Sequence, residues 1–382
     1  MHMVTFGPVE ASPDALEKAV AQARSEFRER LDLGVIYLPI EANHERLLDL
    51  AQVHSGVRFV GATTGGASFT ERGWCRNGVT GALLGGNHAA LQHVVVHGLR
   101  DRLNSRVAEG VARLFPGALS GHSLFVLADA MACEGEQLTS VLRQCCPLRW
   151  KFFGGTAGDD WKFRTSYVFA EGRRLQDAAV LVYINSHDAP QLRVRHGFCA
   201  APSALPLKVT ATDGPALVSL DDQPAAEVYQ RELERLGLLR ESGSLAQQLA
   251  LHSLGLETPY GERLKMRTPI GLRGDGAIVL ASSVPVGATV WVVTADLDKL
   301  IDAARQSAQD ALVRLLRPPL AELVIDCAAR LQLLGDRYPE QLAAFGVGGN
   351  HPVLGFASYG EIAVFGGAPA GFHNTTAVLA VW

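Results

Sequence analysis

Residues 34–66 read GVIYLPIEANHERLLDLAQVHSGVRFVGATTGG, and their pattern decides the fold class. GVIYLPI (34–40) is an apolar run of strand length, HERLLDLAQVHS (44–55) repeats apolar residues at helical spacing, and VRFVGATTGG (57–66) is a second strand entering a glycine turn. Strand, helix, strand in that order predicts a crossover unit whose helix covers a sheet. Upstream, DALEKAVAQARSEFRERLDL (14–33) has the spacing of an amphipathic helix. Downstream, residues 79–98 are β-rich, 100–115 helical, 123–130 a strand and 134–146 a helix. Three strand candidates follow without a helix between them: TSYVFA (165–170), AAVLVYI (178–184) and LRVRHGF (192–198). EGRR (171–174) reads as a hairpin connection after the first of them. Helix-free strand runs imply antiparallel pairing, so the sheets are mixed and the class is α+β.

At about 100–200 residues per domain, 382 residues make two or three domains. The Pro-, Ala- and Asp-Gly-rich stretch 201–223 reduces this to two, 1–205 and 224–382, with 206–223 as junction. In the second half, 224–238 reads as a helix, 273–296 as a hairpin pair turning at 284–287, and 297–316 as a long amphipathic helix. LAELVIDCAAR (320–330) reads as a buried strand, and 353–367 and 374–382 as closing strands. Each half shows a helix, a buried strand and a polar glycine turn, the pattern of a pseudo-duplication.

The 35 basic and 39 acidic residues give a net charge of −4, which leaves no footprint for nucleic acid. No apolar run reaches the ~20 residues of a membrane span, and the first residues lack a signal-peptide pattern. The six cysteines form no C-x-x-C pair or zinc-finger spacing, which fits a reducing cytoplasm.

Five segments are candidates for chemistry. In FGGTAGDD (153–160), adjacent glycines permit close backbone approach, with Thr156 and Asp159 offering oxygens, or the aspartates cap local amides. Thr63-Thr64-Gly65-Gly66 stands at a strand end, where α/β sheets bind ligands. Asp326-Cys327-Ala328-Ala329-Arg330 places a thiol and a guanidinium at another strand end; the alternative is a buried cysteine with Arg330 paired to Asp326. His351, Tyr359, Glu361, His373 and Asn374 are dense for an otherwise apolar segment, and a buried Glu361 needs a partner or ligand. His196 stands in R-H-G. His351, Glu361 and His373 are a candidate metal trio, although their spacing follows no metal motif, and Cys327 a candidate nucleophile.

In order along the chain, VGATTGG (60–66), FFGGTAGDDWKF (152–163), DAAVLVYINS (177–186), HG (196–197), MRTPIGLRGDGAIVLASSVPVGATV (266–290), DCAAR (326–330), LLGDR (333–337), VLGFASYGEIA (353–363) and FHNTTAVL (372–379) resemble the FIST family of sensory domains. The resemblance implies a two-domain module that binds a small polar ligand such as an amino acid. A separate signalling protein, a histidine kinase or cyclic-dinucleotide enzyme, would carry the output, and self-association as a homo-oligomer is a further expectation. The pocket is expected from Cys327, Arg330, Tyr359, Glu361, His373 and Asn374, with Thr156 and Asp159. Arg330 would hold a carboxylate, Glu361 an amino group, and Asn374 would orient the ligand. One subgroup resembles haem-based nitric oxide sensors, for which His373, His351 or His196 would be the haem ligand. A metal- or cysteine-dependent enzyme is the remaining alternative.

Overall fold

The computed structural model describes residues 1–114, 121–239, 252–258, 264–365 and 371–382. The opening crossover is present: strands Leu31–Leu38 and Phe59–Thr63 pair in parallel around the helix His44–Ser55. Asn43 caps that helix by accepting the Arg46 N–H, and Gly56, at φ 78, ends it. Leu47, Leu48 and Ala51 pack with Leu16, Val20 and Ala23 of the first helix over one face of the sheet. That first helix spans Pro13–Glu26, not 14–33, because Phe27 is extended and residues from Leu31 join the sheet.

The same unit occurs three times. Gly121–Ala128 pairs in parallel with Lys151–Thr156 around the helix Gly135–Cys145. Glu322–Cys327 pairs in parallel with Val353–Ser358 around the short helices Ala328–Leu334 and Tyr338–Ala344. A small hairpin follows each unit and joins a neighbour's sheet. Ser68–Thr70, from the first unit, pairs with the third unit's Val353–Ser358. Val168–Ala170, from the second, pairs with the first unit's Phe59–Thr63. Glu361–Val364, from the third, pairs with the second unit's Lys151–Thr156. The chain then returns to its own sheet through Gly78–Gly85, Ala178–Ser186 or Ala377–Val381. The exchange is cyclic, so three six-stranded sheets are knitted around one core that includes Val35, Phe125, Phe153, Ile325 and Phe356.

This explains a departure from the local reading. The EGRR turn pairs Val168–Ala170 with Arg173–Leu175, and Ala178–Ser186 leaves for a different sheet. Asp177, at φ 48, makes the turn between them, its N–H held by the Asp129 carboxylate at 2.8 Å.

A separate nine-stranded antiparallel sheet lies in the chain between the second and third units, from Cys199–Ala200 to Thr289–Thr294. Residues 206–223 contribute Leu207–Asp213 and Ala216–Leu220, which pair with each other in this sheet. The helix Ala225–Arg235 covers it with Val228, Tyr229 and Leu233. The expected hairpin over 273–296 does not form. Ile278–Leu280 pairs with Ala216–Leu220 and Pro269–Leu272, whereas Thr289–Thr294 pairs with Leu207–Asp213 and Leu254–Glu257. Ile278–Leu280 thus sits between a near neighbour and a distant strand, and Thr289–Thr294 between two distant ones.

Candidate functional site

The carboxyl ends of the three parallel pairs meet at one pole, and their glycine turns interlock. The Gly158 N–H donates to the Thr63 carbonyl at 2.9 Å, Gly65 to Ala357 at 2.7 Å, and Tyr359 to Thr156 at 3.2 Å. Each turn is thus bonded to the next unit's turn. A Cβ on Gly158 would stand 2.6 Å from the Gly65 Cα, so side chains are excluded there by backbone. Asp159 organises the loop that follows: its carboxylate accepts the N–H groups of Phe163, Arg164 and Thr165 and the Tyr359 hydroxyl at 2.6 Å. Burial alone would raise its pKa, but these four donors hold it below the usual carboxylate range. Thr156 is buried, and its Oγ1 has no partner among the described residues.

In the third unit, alternation along the strand sends Cys327 to the inner face with Leu323 and Ile325, and Asp326 to the outer face with Val324. On the inner face, Ser358 Oγ donates to Glu361 at 2.7 Å, the Thr376 N–H lies 3.3 Å from the same carboxyl, and the Cys327 thiol is close enough to interact with it electrostatically. Burial raises the Glu361 pKa well above its ordinary value. Burial, then the neighbouring Glu361, raises that of Cys327. The Cys327 thiol is therefore neutral near pH 7, the reverse of what a thiolate nucleophile requires.

On the outer face, Asp326 is pushed up to about 6 by burial, against the pull of Arg330, Tyr338 and Gln341. The Arg330 guanidinium is fully buried and spent on protein: 3.2 Å from Asp326, 2.9 Å from Gln341 Oε1, 2.7 Å from the His196 carbonyl and 2.9 Å from the Leu300 carbonyl. It ties this unit to the turn at His196 and to the long helix Leu297–Leu312.

The histidines separate. His373 stands opposite Glu361 in the ladder, fully buried, and burial with the nearby Lys265 and Arg267 drives its pKa well below the ordinary value. Its Nε2, and both amide atoms of the adjacent Asn374, are buried without partners among the described residues. His196 has both nitrogens engaged, Nδ1 by the Phe198 N–H and Nε2 on the Leu264 carbonyl at 3.0 Å. His351 pairs with Glu322 at 2.6 Å, at the amino end of the strand that carries Cys327 at its carboxyl end. His351, Glu361 and His373 are therefore not brought together, and among the described residues no three His, Cys, Asp or Glu side chains gather as a metal ion requires. Cys327, Glu361, His373, Asn374, Tyr359, Thr156 and Asp159 do share the carboxyl-end pole.

Sequence reasoning missed the Glu136 carboxylate, which pairs with both Lys265 and Arg267 and joins the helix Gly135–Cys145 to the nine-stranded sheet. Burial, then Arg267, pushes Lys265 down to about 8. The alternation in Leu264–Arg267 was the available signal, since it places both cations on one face of an apolar strand. The Tyr338 and Gln341 donors to Asp326 were also missed; their helical i, i+3 spacing was the clue.

Two family models match the chain, the FIST N domain over residues 32–223 and the FIST C domain over 225–364. The chain belongs to the FIST family. FIST domains are small-ligand-binding sensory domains of signal transduction. No curated protein matches the chain. In this FIST chain the two domains share sheets: the N segment holds the first two crossover units and the C segment the third, and each gives a hairpin to the other. No helix among the described residues is long and apolar enough to cross a membrane.

Proposed function

We propose that this FIST protein is a cytoplasmic sensor that binds a small, uncharged, hydrogen-bonding ligand at the carboxyl-end pole and acts through a separate output protein. The Asn374 amide carries the reading. A buried polar group without a partner costs about 1–3 kcal/mol, and here a donor and an acceptor of one planar amide, on the residue after His373, both lack a partner among the described residues. A ligand with a reciprocal amide, lactam or nucleobase edge would satisfy them. Charge selects against the carboxylate first expected, because Arg330 is consumed within the protein and neither Cys327 nor His373 carries a positive charge that would hold one. In this reading Arg330 transmits and Asn374 recognises.

A thermal-shift screen of primary amides, lactams and nucleobases against free amino acids and dicarboxylates tests it. A ligand at a hundred times its Kd stabilises by about 2.7 kcal/mol. An uncharged hit should lose that effect in Asn374→Leu. A carboxylate that stabilises wild type and Asn374→Leu equally refutes the assignment.

A second reading, a haem-based sensor, rests on His373 Nε2. Among the described residues both His196 nitrogens are engaged and His351 is held by Glu322 at the opposite pole, whereas His373 keeps a buried Nε2 without a partner, so His373 fits best as an axial ligand, where haem would supply gas binding. A Soret band after reconstitution that disappears in His373→Ala would favour it; absence of the band in wild type removes it.

A further inference from the structure

The opposite pole, at the amino ends of the parallel strands, carries a groove of about 680 Å³ between Lys151, the turn 187–191 and the segment Arg314–Arg317. Its charge is unbalanced. The Lys151 ammonium donates to the Pro190 carbonyl at 2.7 Å, and Arg193 to the carbonyls of Leu192 and Asp310. Neither these two cations nor Arg314 has a carboxylate within salt-bridge distance among the described residues, although the whole chain is net acidic. Asp188 beside them is already held by Arg317 at 3.5 Å. The cations also repel one another: burial and Arg193 lower the Lys151 pKa, and burial and Arg314 lower that of Arg193. Apolar side chains stand among them, with Leu316 at 105% and Val313 at 84% exposure, while Leu315 and Leu316 line the groove. A leucine fully open to water, Leu316, beside unneutralised cations is a cost to the isolated chain that a complementary partner would remove.

We propose that this groove is the docking surface for an acidic, leucine-bearing segment of a partner protein. Carboxylates would meet Lys151 and Arg314, with Arg193 adding to the local positive field, and an apolar side chain would seat against Leu315 and Leu316. A concave site suits an inserted segment, where a bilayer would need a convex or flat one. The position also fits output. The helix Leu297–Leu312, roughly 24 Å long at 1.5 Å per residue, is held by Arg330 at Leu300 and leads at its other end into Arg314. One rigid element thus spans from the carboxyl-end pole to the groove.

Fluorescence anisotropy with a fluorescein-labelled peptide of repeated Glu-Glu-Leu tests this on the full chain. Wild type should bind the probe, weaken with added salt, and lose roughly tenfold or more in affinity in Arg314→Glu and in Leu316→Ser. Both side chains are exposed, so unchanged circular dichroism melts should confirm that the variants fold. A repeated Lys-Lys-Leu peptide should not bind. The proposal is overturned if the acidic probe fails to bind, or binds both variants as tightly as wild type. It is also overturned if phosphatidylserine vesicles or single-stranded DNA bind wild type more tightly than the peptide does.

Discussion

Replacing Arg330 with Met separates a structural clasp from a ligand-binding cation. The substitution keeps the aliphatic stem and removes a guanidinium that bonds Gln341, the His196 carbonyl and the Leu300 carbonyl at 2.7–2.9 Å and sits 3.2 Å from Asp326. Breaking a buried pair from one side costs about 3–5 kcal/mol, because the remaining charge is left uncompensated. Asp326 has a partial escape: it keeps Tyr338 and Gln341 as donors, and its pKa, already about 6, rises further, so it can take up a proton. The expected loss at pH 7 is therefore at the lower end, about 3 kcal/mol, or roughly a hundredfold in the folding equilibrium. The sign of the pH dependence follows. A carboxyl whose folded pKa is raised stabilises the fold at low pH, and that advantage is lost as pH rises through the folded value. Arg330→Met should thus fall further behind wild type between pH 5 and pH 8. Adding Asp326→Asn should return part of the loss. Urea titration followed by circular dichroism measures all three proteins. A single variant within about 0.5 kcal/mol of wild type, or a double variant no more stable than the single, would refute the reasoning.

Gly158→Ala should cost about 1–3 kcal/mol, because its Cβ would press on the Gly65 backbone at 2.6 Å; Gly172→Ala, at φ 72 with open space around it, should cost only about 1 kcal/mol, and urea midpoints of the pair compare the two effects. Glu361→Gln removes a buried group whose pKa is raised, so it should flatten the fall in stability that wild type shows as pH rises above the ordinary Glu value of about 4.3; a thermal melt series that keeps the wild-type slope would contradict this. Thiol titration of the native protein should modify the exposed Cys199, while Cys327 reacts only after unfolding; mass mapping of the labelled peptides checks the order.

The opening crossover was legible because its signals are local. Strand-length apolar runs, helical spacing in 44–55 and the glycine turn after 57–64 all act within a few residues. The hairpins show where local reading ends. Val168–Ala170 and Arg173–Leu175 lie beside Ala178–Ser186 in the chain but in another sheet, because an apolar strand is equally buried against either neighbour. The same ambiguity gave Ile278–Leu280 and Thr289–Thr294 an apparent hairpin that their distant partners outcompete. The repeat seen in the two halves resolves into three units for this reason too: the crossover pattern recurs locally, whereas the exchanged hairpins are visible only in three dimensions.

The sequence by itself determined the family, the mixed α+β class, and which residues stand at the carboxyl ends of strands. It does so because turn chemistry and side-chain alternation are properties of short segments. It could not determine which of those residues face a partner. Asp326 and Cys327 are adjacent in sequence, yet one is clasped by Arg330 across the outer face and the other lies near Glu361 on the inner one. Burial, and with it the protonation of Glu361, Cys327 and His373, depends on sheets assembled from all three units. Tertiary structure alone thus decided that Arg330 is occupied and that the Asn374 amide has no partner among the described residues.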